Sequence, residues 1–387
     1  MNPEIGRLRW TRILTVSSLL WMMGLGSAPP LRSEPVGTAS EAGRVTAGSE
    51  AESEAGKAGD SGDTGDSGEE PVDERRVATE APSRRGPPPP LGVLRAEPLE
   101  EDRFRISYTF ERRKRQGLLV GDRDRTPEQI RNESFLDIDR TPRSLEVSVH
   151  TVRVAYAPHP RITLLAELPI VQRELERFDM SRMRFQNQTE GVGDVGFAVL
   201  VPFIRKGLET SHVHLGVYAP TGSIRRKDGE PERLPYDAQP GNGTWDLEWG
   251  WTYRGAWRFI SWGAQAKGRH PVGRNDLDYR EGSRFNASMW GATELFSGLS
   301  ASLRFGWEKQ NNIAGRDRGL DPIEGPSENP KARGGTRFDL SPGLTLDLPR
   351  LANQRLSVEL DLPVYQELDG PQLERDWAVR TGWQWVF

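Results

Sequence analysis

The chain has 387 residues, 35% of them hydrophobic, a formal net charge of -4 and no cysteine. No apolar run after the first 30 residues approaches the ~20 needed for a spanning helix, the near-neutral charge gives no polyelectrolyte argument for nucleic acid, and the missing cysteine removes disulfides, thiolate metal sites, a cysteine nucleophile and a cysteine-linked lipid anchor. A transmembrane β-barrel survives these exclusions, because its lumen face is polar and only alternate strand positions must be apolar.

At the N-terminus, Arg7, Arg9 and Arg12 precede an apolar run from Ile13 to Leu25, followed by the small residues Gly24, Gly26, Ser27 and Ala28. A charged segment, a short apolar segment and small residues make an export signal, so residues 1–28 are expected to be a signal peptide, an uncleaved anchor being the alternative. Pro29 fits poorly just after a cut at Ala28, and a cut after Gly26 serves as well. From residue 29 to about 100, Gly, Ser, Glu, Asp, Ala and Pro dominate, with no aromatic residue between Trp21 and Phe104. Repeats such as Gly59–Asp66 bury too little apolar surface to offset ordering entropy, and Pro87–Pro90 form a stiff extended spacer. This stretch is expected to be a disordered acidic tether in the periplasm.

From Arg103 onward, period-2 segments bounded by Gly, Pro, Asn and Asp replace any convincing helix. They predict an all-β chain over 101–387, a transmembrane antiparallel up-and-down barrel of about twelve strands. The expected strands are 103–116, 144–157, 160–173, 193–205, 208–219, 245–254, 257–269, 283–296, 299–311, 335–348, 354–367 and 375–387. In the sixth, Trp245, Leu247, Trp249, Trp251 and Tyr253 alternate with Asp246, Glu248, Gly250, Thr252 and Arg254. The ninth (Leu299 to Glu308) and eleventh (Leu356 to Val364) alternate in the same way, whereas the second and eighth do so poorly. Short connections at Pro158-His159, Arg205–Gly207, Gly255-Ala256, Ser297-Gly298 and Arg350–Asn353 alternate with mostly longer ones, about 117–143, 174–192, 220–244, 270–282, 312–334 and 368–374. Short periplasmic turns and long external loops predict that alternation. The closing strand puts Trp383, Trp385 and Phe387 on one face, which resembles the C-terminal signal of outer-membrane proteins, and Trp245, Trp257, Trp307, Trp377 and Trp385 suit interfacial girdles.

Five stretches form a recognisable series: Glu190–Val195 (EGVGDV), Ala219–Ile224 (APTGSI), Leu234–Leu247 (LPYDAQPGNGTWDL), Asn275–Gly282 (NDLDYREG) and Pro363–Trp377 (PVYQELDGPQLERDW). Together, from about residue 145 to the C-terminus, they resemble the transporter-like outer-membrane proteins of the phenol-degradation meta-pathway (MetA-like) family. The resemblance implies an outer-membrane transporter barrel and supplies no catalytic residues. Members of the family often carry Met- and His-rich segments; this chain departs from that, with only Met180 and Met183 in the relevant loop.

The polar strand face nominates a solute path through Glu167, Asp194, Asp246, Glu248, Arg254, Arg304, Glu308, Asp339, Glu359, Asp361 and Arg380, since charges of both signs can select solutes by size and charge. The same residues could pair across the lumen and plug it, because twelve strands fall between filled and open barrels. Asp276, Tyr279 and Arg280 nominate a ligand contact at the outer mouth, or a loop held by its own Asx turns. His212 and His214 share a strand face but lack a third ligand, and Gly241-Asn242-Gly243 reads as turn punctuation. Glycosylation triplets at Asn132 and Asn187 carry little weight in a bacterial-type barrel. Neither a cofactor nor a metal is implied. The expected function is an outer-membrane transporter for small solutes, aromatic or hydrophobic compounds among them, in the Gram-negative outer membrane, with outer-membrane lipid, the barrel-assembly machinery and a small solute as partners and no nucleic acid. A closed barrel with a structural or partner-binding role is the alternative. A third reading, a surface lipid hydrolase, would use Ser148 and His150 on one strand face.

Overall fold

The computed structural model describes residues 86–133, 140–178, 183–227 and 233–387. The expected signal peptide, the acidic stretch as far as residue 85 and Met180 lie outside the described residues. In chain order the strands are β1 (Phe104–Gly121), β2 (Arg123–Arg125), β3 (Thr141–His159), β4 (Ile162–Phe178), β5 (Arg184–Val192), β6 (Val195–Lys206), β7 (Glu209–Ala219), β8 (Trp245–Trp257), β9 (Ile260–Val272), β10 (Tyr279–Arg280), β11 (Arg284–Phe296), β12 (Leu299–Gln310), β13 (Ala314–Gly315), β14 (Gly335–Leu348) and β15 (Gln354–Val386). Eleven of them close into an antiparallel barrel in near-sequential order, β1 pairing with β15 to complete the ring. β2 and β5 attach outside that ring, and β10 pairs with β13 in a separate small sheet.

An odd ring of strictly antiparallel neighbours cannot close, because each pairing reverses direction. The resolution lies in β15. Its first part, from Gln354 to Leu368, runs against β14, and its second, from Leu368 to Val386, runs against β1. It therefore reverses near Gly370, which sits at φ 133, a conformation that favours glycine. Across this reversal the Gln366 side-chain amide bonds both backbone groups of Arg375, donating at 2.9 Å and accepting at 2.8 Å. The wall thus makes twelve crossings, and the expected strands 354–367 and 375–387 are the two arms of β15. At the seam, Phe104 and Phe387 exchange backbone hydrogen bonds of 2.9 and 3.0 Å, and their rings stack at 5.8 Å.

Alternation along the strands sorts the side chains. Leu215, Trp245, Trp249, Met289 and Leu303 project outward and are exposed, while Asp246, Glu248, Thr252 and Arg254 on the opposite face of β8 are buried. Trp245 and Trp257 stand at the two ends of β8. Twelve residue steps of about 3.4 Å, tilted by about 40°, separate them by roughly 30 Å, which suits an apolar band about 25 Å tall between two aromatic girdles.

Several expected boundaries move. The turns fall one to three residues later than expected, at Pro160-Arg161, Gly207-Leu208 and Arg258-Phe259, with Arg258 at φ 53. β1 and β4 continue to Gly121 and Phe178, and β5 occupies much of the segment expected as a loop at 174–192. The β4 extension and β5 carry polar residues on both faces, and the β1 extension is a continuous apolar run, Leu118 to Val120, so period-2 alternation is lost in all three. A short helix, Pro127–Glu133, also forms where none was expected. Thr126 and Gln129 exchange side-chain-to-backbone hydrogen bonds of 2.9 and 3.2 Å at its start, a reciprocal N-terminal cap.

Candidate solute path through the lumen

The inward faces of β1, β12, β14 and both arms of β15 converge on one buried polar network. Arg304 donates to Glu359 at 2.6 Å, Asp361 at 2.7 Å and the Ser341 hydroxyl at 3.0 Å. Arg380 donates to Asp361 at 2.5 Å and to Glu111 at 2.9 Å. Glu359 and Asp361 are 1% and 2% exposed. Charges so desolvated persist when each finds opposite charge and hydrogen bonds. The ladder supplies the placement: Arg304 faces Ser341, Gly343 faces Glu359, and Glu111 faces Arg380.

Below this network, towards the short-turn end, the chain itself enters the lumen. Residues 86–102 rise from the β8–β9 turn, where Gly86 packs on Ala256, reach mid-barrel at Leu91–Arg95, and descend to Asp102, whose N–H donates to the Ala157 carbonyl at 2.8 Å. Wall side chains hold the segment in place. Gly92 N–H donates to Glu359 at 3.0 Å; Gln265 donates to the Leu94 carbonyl at 2.8 Å; His212 Nε2 donates to the Arg95 carbonyl at 2.8 Å; Arg254 and Arg205 donate to the Pro87 and Leu99 carbonyls, both at 2.9 Å. Arg95 pairs with Glu248, donates to Tyr218 at 2.9 Å and lies 3.6 Å from Glu167. Val93 and Ala96 pack on Trp290, and Leu99 packs among Ala155, Ala157, Leu165 and Leu200. A Cβ on Gly92 would collide with Glu359 and Arg304, so the backbone approaches the network as only glycine allows.

This plug corrects the expectation of a tether reaching residue 100. Its last 15 residues are ordered inside the barrel because their scattered apolar side chains and exposed carbonyls meet complementary groups on the wall. Glu97 shows the strength of the fit. Burial alone would raise its pKa, yet Arg355 at 2.9 Å, with Arg254 and Arg105, holds it at about 2.

At the opposite, long-loop end, loops fold inward as a cap. Tyr236 and Tyr279 meet edge to face at 4.9 Å and pack with Ile313 and Leu320. Burial raises both phenol pKa values. Arg173 donates to the Asp237 carbonyl at 2.6 Å, Arg177 pairs with Glu328 at 3.2 Å, and Arg333 pairs with Asp237 at 3.0 Å. Leu234 and Ala238 of the cap join Leu145, Val147, Val171 and Leu175 of the wall in an apolar cluster.

Of the nominated lumen residues, Glu167, Asp246, Glu248, Arg254, Arg304, Glu308, Asp339, Glu359, Asp361 and Arg380 all take inward strand positions. Asp246 accepts from Thr244 at 2.8 Å, Arg269 at 2.7 Å and Asn242 at 3.0 Å. Glu308 pairs with Arg337, and Asp339 with Arg375 at 3.3 Å. Asp194 differs: it sits in the break between β5 and β6 and accepts from the N–H groups of Gly222 and Asn242, both at 3.0 Å. It thereby ties the cap to the wall, and burial raises its pKa despite those bonds. The nominated mouth contacts separate as well. Tyr279 is 2% exposed and belongs to the core of the cap, so it cannot present a ligand contact at the surface. Asp276 is exposed and 3.6 Å from Arg225, and Arg280 pairs through its backbone with Ala314. His212 and His214 are both buried, the latter 3.2 Å from Glu248; among the described residues no group of three metal-ligating side chains occurs. His150 Nδ1 hydrogen-bonds Tyr108 at 2.7 Å on the outer face, and no bond joins it to Ser148 among the described residues. Sequence reasoning missed the plug contacts Arg95 and Glu97 and the cap contacts Tyr236 and Asp237.

The fold and lumen define a plugged transmembrane β-barrel. No protein family model matches the chain, and no curated protein is similar to it. Among solved structures, an outer membrane channel from Pseudomonas putida F1 aligns with a TM-score of 0.55 and 12% identity, covering 76% of this chain and 98% of that one. A Pseudomonas aeruginosa FadL homologue (TM-score 0.39, 8% identity, covering 73% and 90%) and the transport unit of the autotransporter AIDA-I from Escherichia coli (0.42, 9%, 74% and 90%) are more distant. The first likeness shows that the barrel is shared.

Proposed function

We propose that this chain is an outer-membrane, transporter-like barrel for small solutes, aromatic or hydrophobic compounds among them, closed at rest by its own N-terminal plug. In this reading the short turns face the periplasm, and the tether expected from residue 29 onward lies on that side. The observation that carries it is how the plug is held: side chains of the wall grip a strandless segment, and among the described residues its backbone bond to the wall lies at its very end, from Asp102 N–H to the Ala157 carbonyl. A segment so held can be displaced without breaking the barrel. The polar lumen between plug and cap, the barrel likeness to a channel and the motif series resembling the MetA-like family support the same reading. The test is liposome swelling and single-channel conductance of the full chain against a variant lacking residues 86–99. Transport with higher conductance in the variant is expected; no conductance and no solute entry from either protein would refute transport.

A second reading, a closed barrel serving structure or partner binding, is favoured by the occlusion of the lumen at both ends by plug and cap. It predicts that neither protein conducts.

A further inference from the structure

The upper lumen, between the charged network and the cap, holds arginines that its carboxylates do not pair. Arg115 stands directly opposite Arg375 in the β1–β15 ladder, and Arg284 directly opposite Arg269 in the β9–β11 ladder. Like charges at facing positions repel. Arg375 and Arg269 are relieved by Asp339 at 3.3 Å and Asp246 at 2.7 Å. Arg115 and Arg284 have no ion pair and no side-chain hydrogen bond among the described residues.

Arg113 joins these residues into one cluster, lying within charge–charge range of Arg115, of Arg173 on β4 and of Arg284 on β11. The facing carboxylates are mostly engaged: Glu111 by Arg380 at 2.9 Å and Arg113 at 2.7 Å, Glu308 by Arg337, Asp237 by Arg333 at 3.0 Å. Glu281 lies within charge range of Arg173 and Arg284 without forming an ion pair. The Nε atoms of Arg173 and Arg375 are buried and have no acceptor, a state that is costly for a donor. Arg284 points inward and is nevertheless exposed, so water reaches the cluster inside the lumen.

We propose that this cluster binds the anionic group of a solute: a carboxylate, phosphate or sulfate. Guanidinium forks match two oxygens of such a group, and its charge would relieve the repulsion between the facing arginines. The inference refines the transport reading by naming the solute's charge, but binding does not require that the solute then crosses.

The test uses the full chain folded in a zwitterionic detergent at low salt, where screening is weak. Titration calorimetry compares octanoate, inorganic phosphate and uncharged octanol. Octanoate is expected to bind and octanol is not. Phosphate binding as well would mean that the anion suffices, whereas octanoate alone would mean that an apolar tail contributes; both support the site. Equal affinity for octanol and octanoate would overturn it. The double variant Arg115→Gln/Arg284→Gln should lose at least tenfold in octanoate affinity and melt at a higher temperature than the parent in anion-free buffer; unchanged affinity would overturn the proposal. If the double variant does not fold, Arg284→Gln should weaken binding while Arg284→Lys keeps it, and equal binding by both would be equally fatal. Swelling of liposomes in uncharged arabinose reports transport separately. A barrel that passes arabinose but binds no anion refutes this inference alone, and one that binds octanoate but passes nothing refutes transport alone.

Discussion

Glu359 illustrates how a single side chain can tie three parts of the molecule together. It accepts from Arg304 on β12, lies 3.4 Å from Arg380 on the returning arm of β15, and accepts the N–H of Gly92 in the plug. At 1% exposure it has no water to fall back on. Removing one member of a buried charged network typically costs ~3–5 kcal/mol because the partners are left uncompensated. Glu359→Gln, which keeps the shape and discards the charge, is therefore expected to destabilise the barrel by roughly 3 kcal/mol, read as a lower denaturant midpoint in detergent or bilayers. A change below about 0.5 kcal/mol, the range of ordinary surface substitutions, would mean that the network is not held as described. Inward placement of Glu359 and Asp361 was legible, because their neighbours Val358, Leu360 and Leu362 are apolar at alternate positions. Their partners were not, since nothing in the local sequence says that Arg304 and Arg380 arrive at the same height in the lumen.

At the scale of elements, wall and plug follow different physics. The wall is written in a period-2 code, so β8, β12 and both arms of β15 could be read directly. The plug has no period. Its contacts run from its own carbonyls to Arg205, Arg254, Gln265 and His212, residues scattered along the chain, and its composition continues the Gly- and Pro-rich stretch before it. The signal available was modest: Leu91, Val93, Leu94, Ala96 and Leu99 follow the four prolines in a stretch otherwise poor in apolar residues. The cap escaped for a similar reason, because Tyr236 and Tyr279 meet only after two loops fold over the mouth. Glu97 gives the plug a pH dependence. Its pKa is about 2 in place against the ordinary 4.5 of a free glutamate. A depressed carboxyl stabilises the folded arrangement above the unfolded pKa and loses that contribution as pH falls through the folded one. Plug retention is thus expected to hold from neutral pH down to about 4.5 and to weaken progressively towards pH 2, measured as protease access to residues 86–102. Glu97→Gln should remove that acid transition; an unchanged acid profile in the variant would assign the transition elsewhere.

For the whole molecule, the outer surface decides the solvent. Leu215 is 66% exposed on β7, flanked by outward Val213 and Trp249, and such a surface is stable only against lipid. An arginine on the lipid face of a barrel near the bilayer midplane costs ~2–4 kcal/mol. Leu215→Arg should therefore destabilise the barrel folded in bilayers by about that amount, while an aqueous, detergent-free fold would register little change. Equal stability of parent and variant in lipid would count against a membrane-spanning wall.

The plug leaves through the same mouth by which it enters: Gly86 lies at the β8–β9 turn and Asp102 at the start of β1, both at the short-turn end. It makes an unthreaded loop that enters and leaves on one side. Drawing it out would require no parting of the β1–β15 seam and no passage of chain through the barrel. Traction applied at Gly86 from that side would therefore meet no topological obstacle.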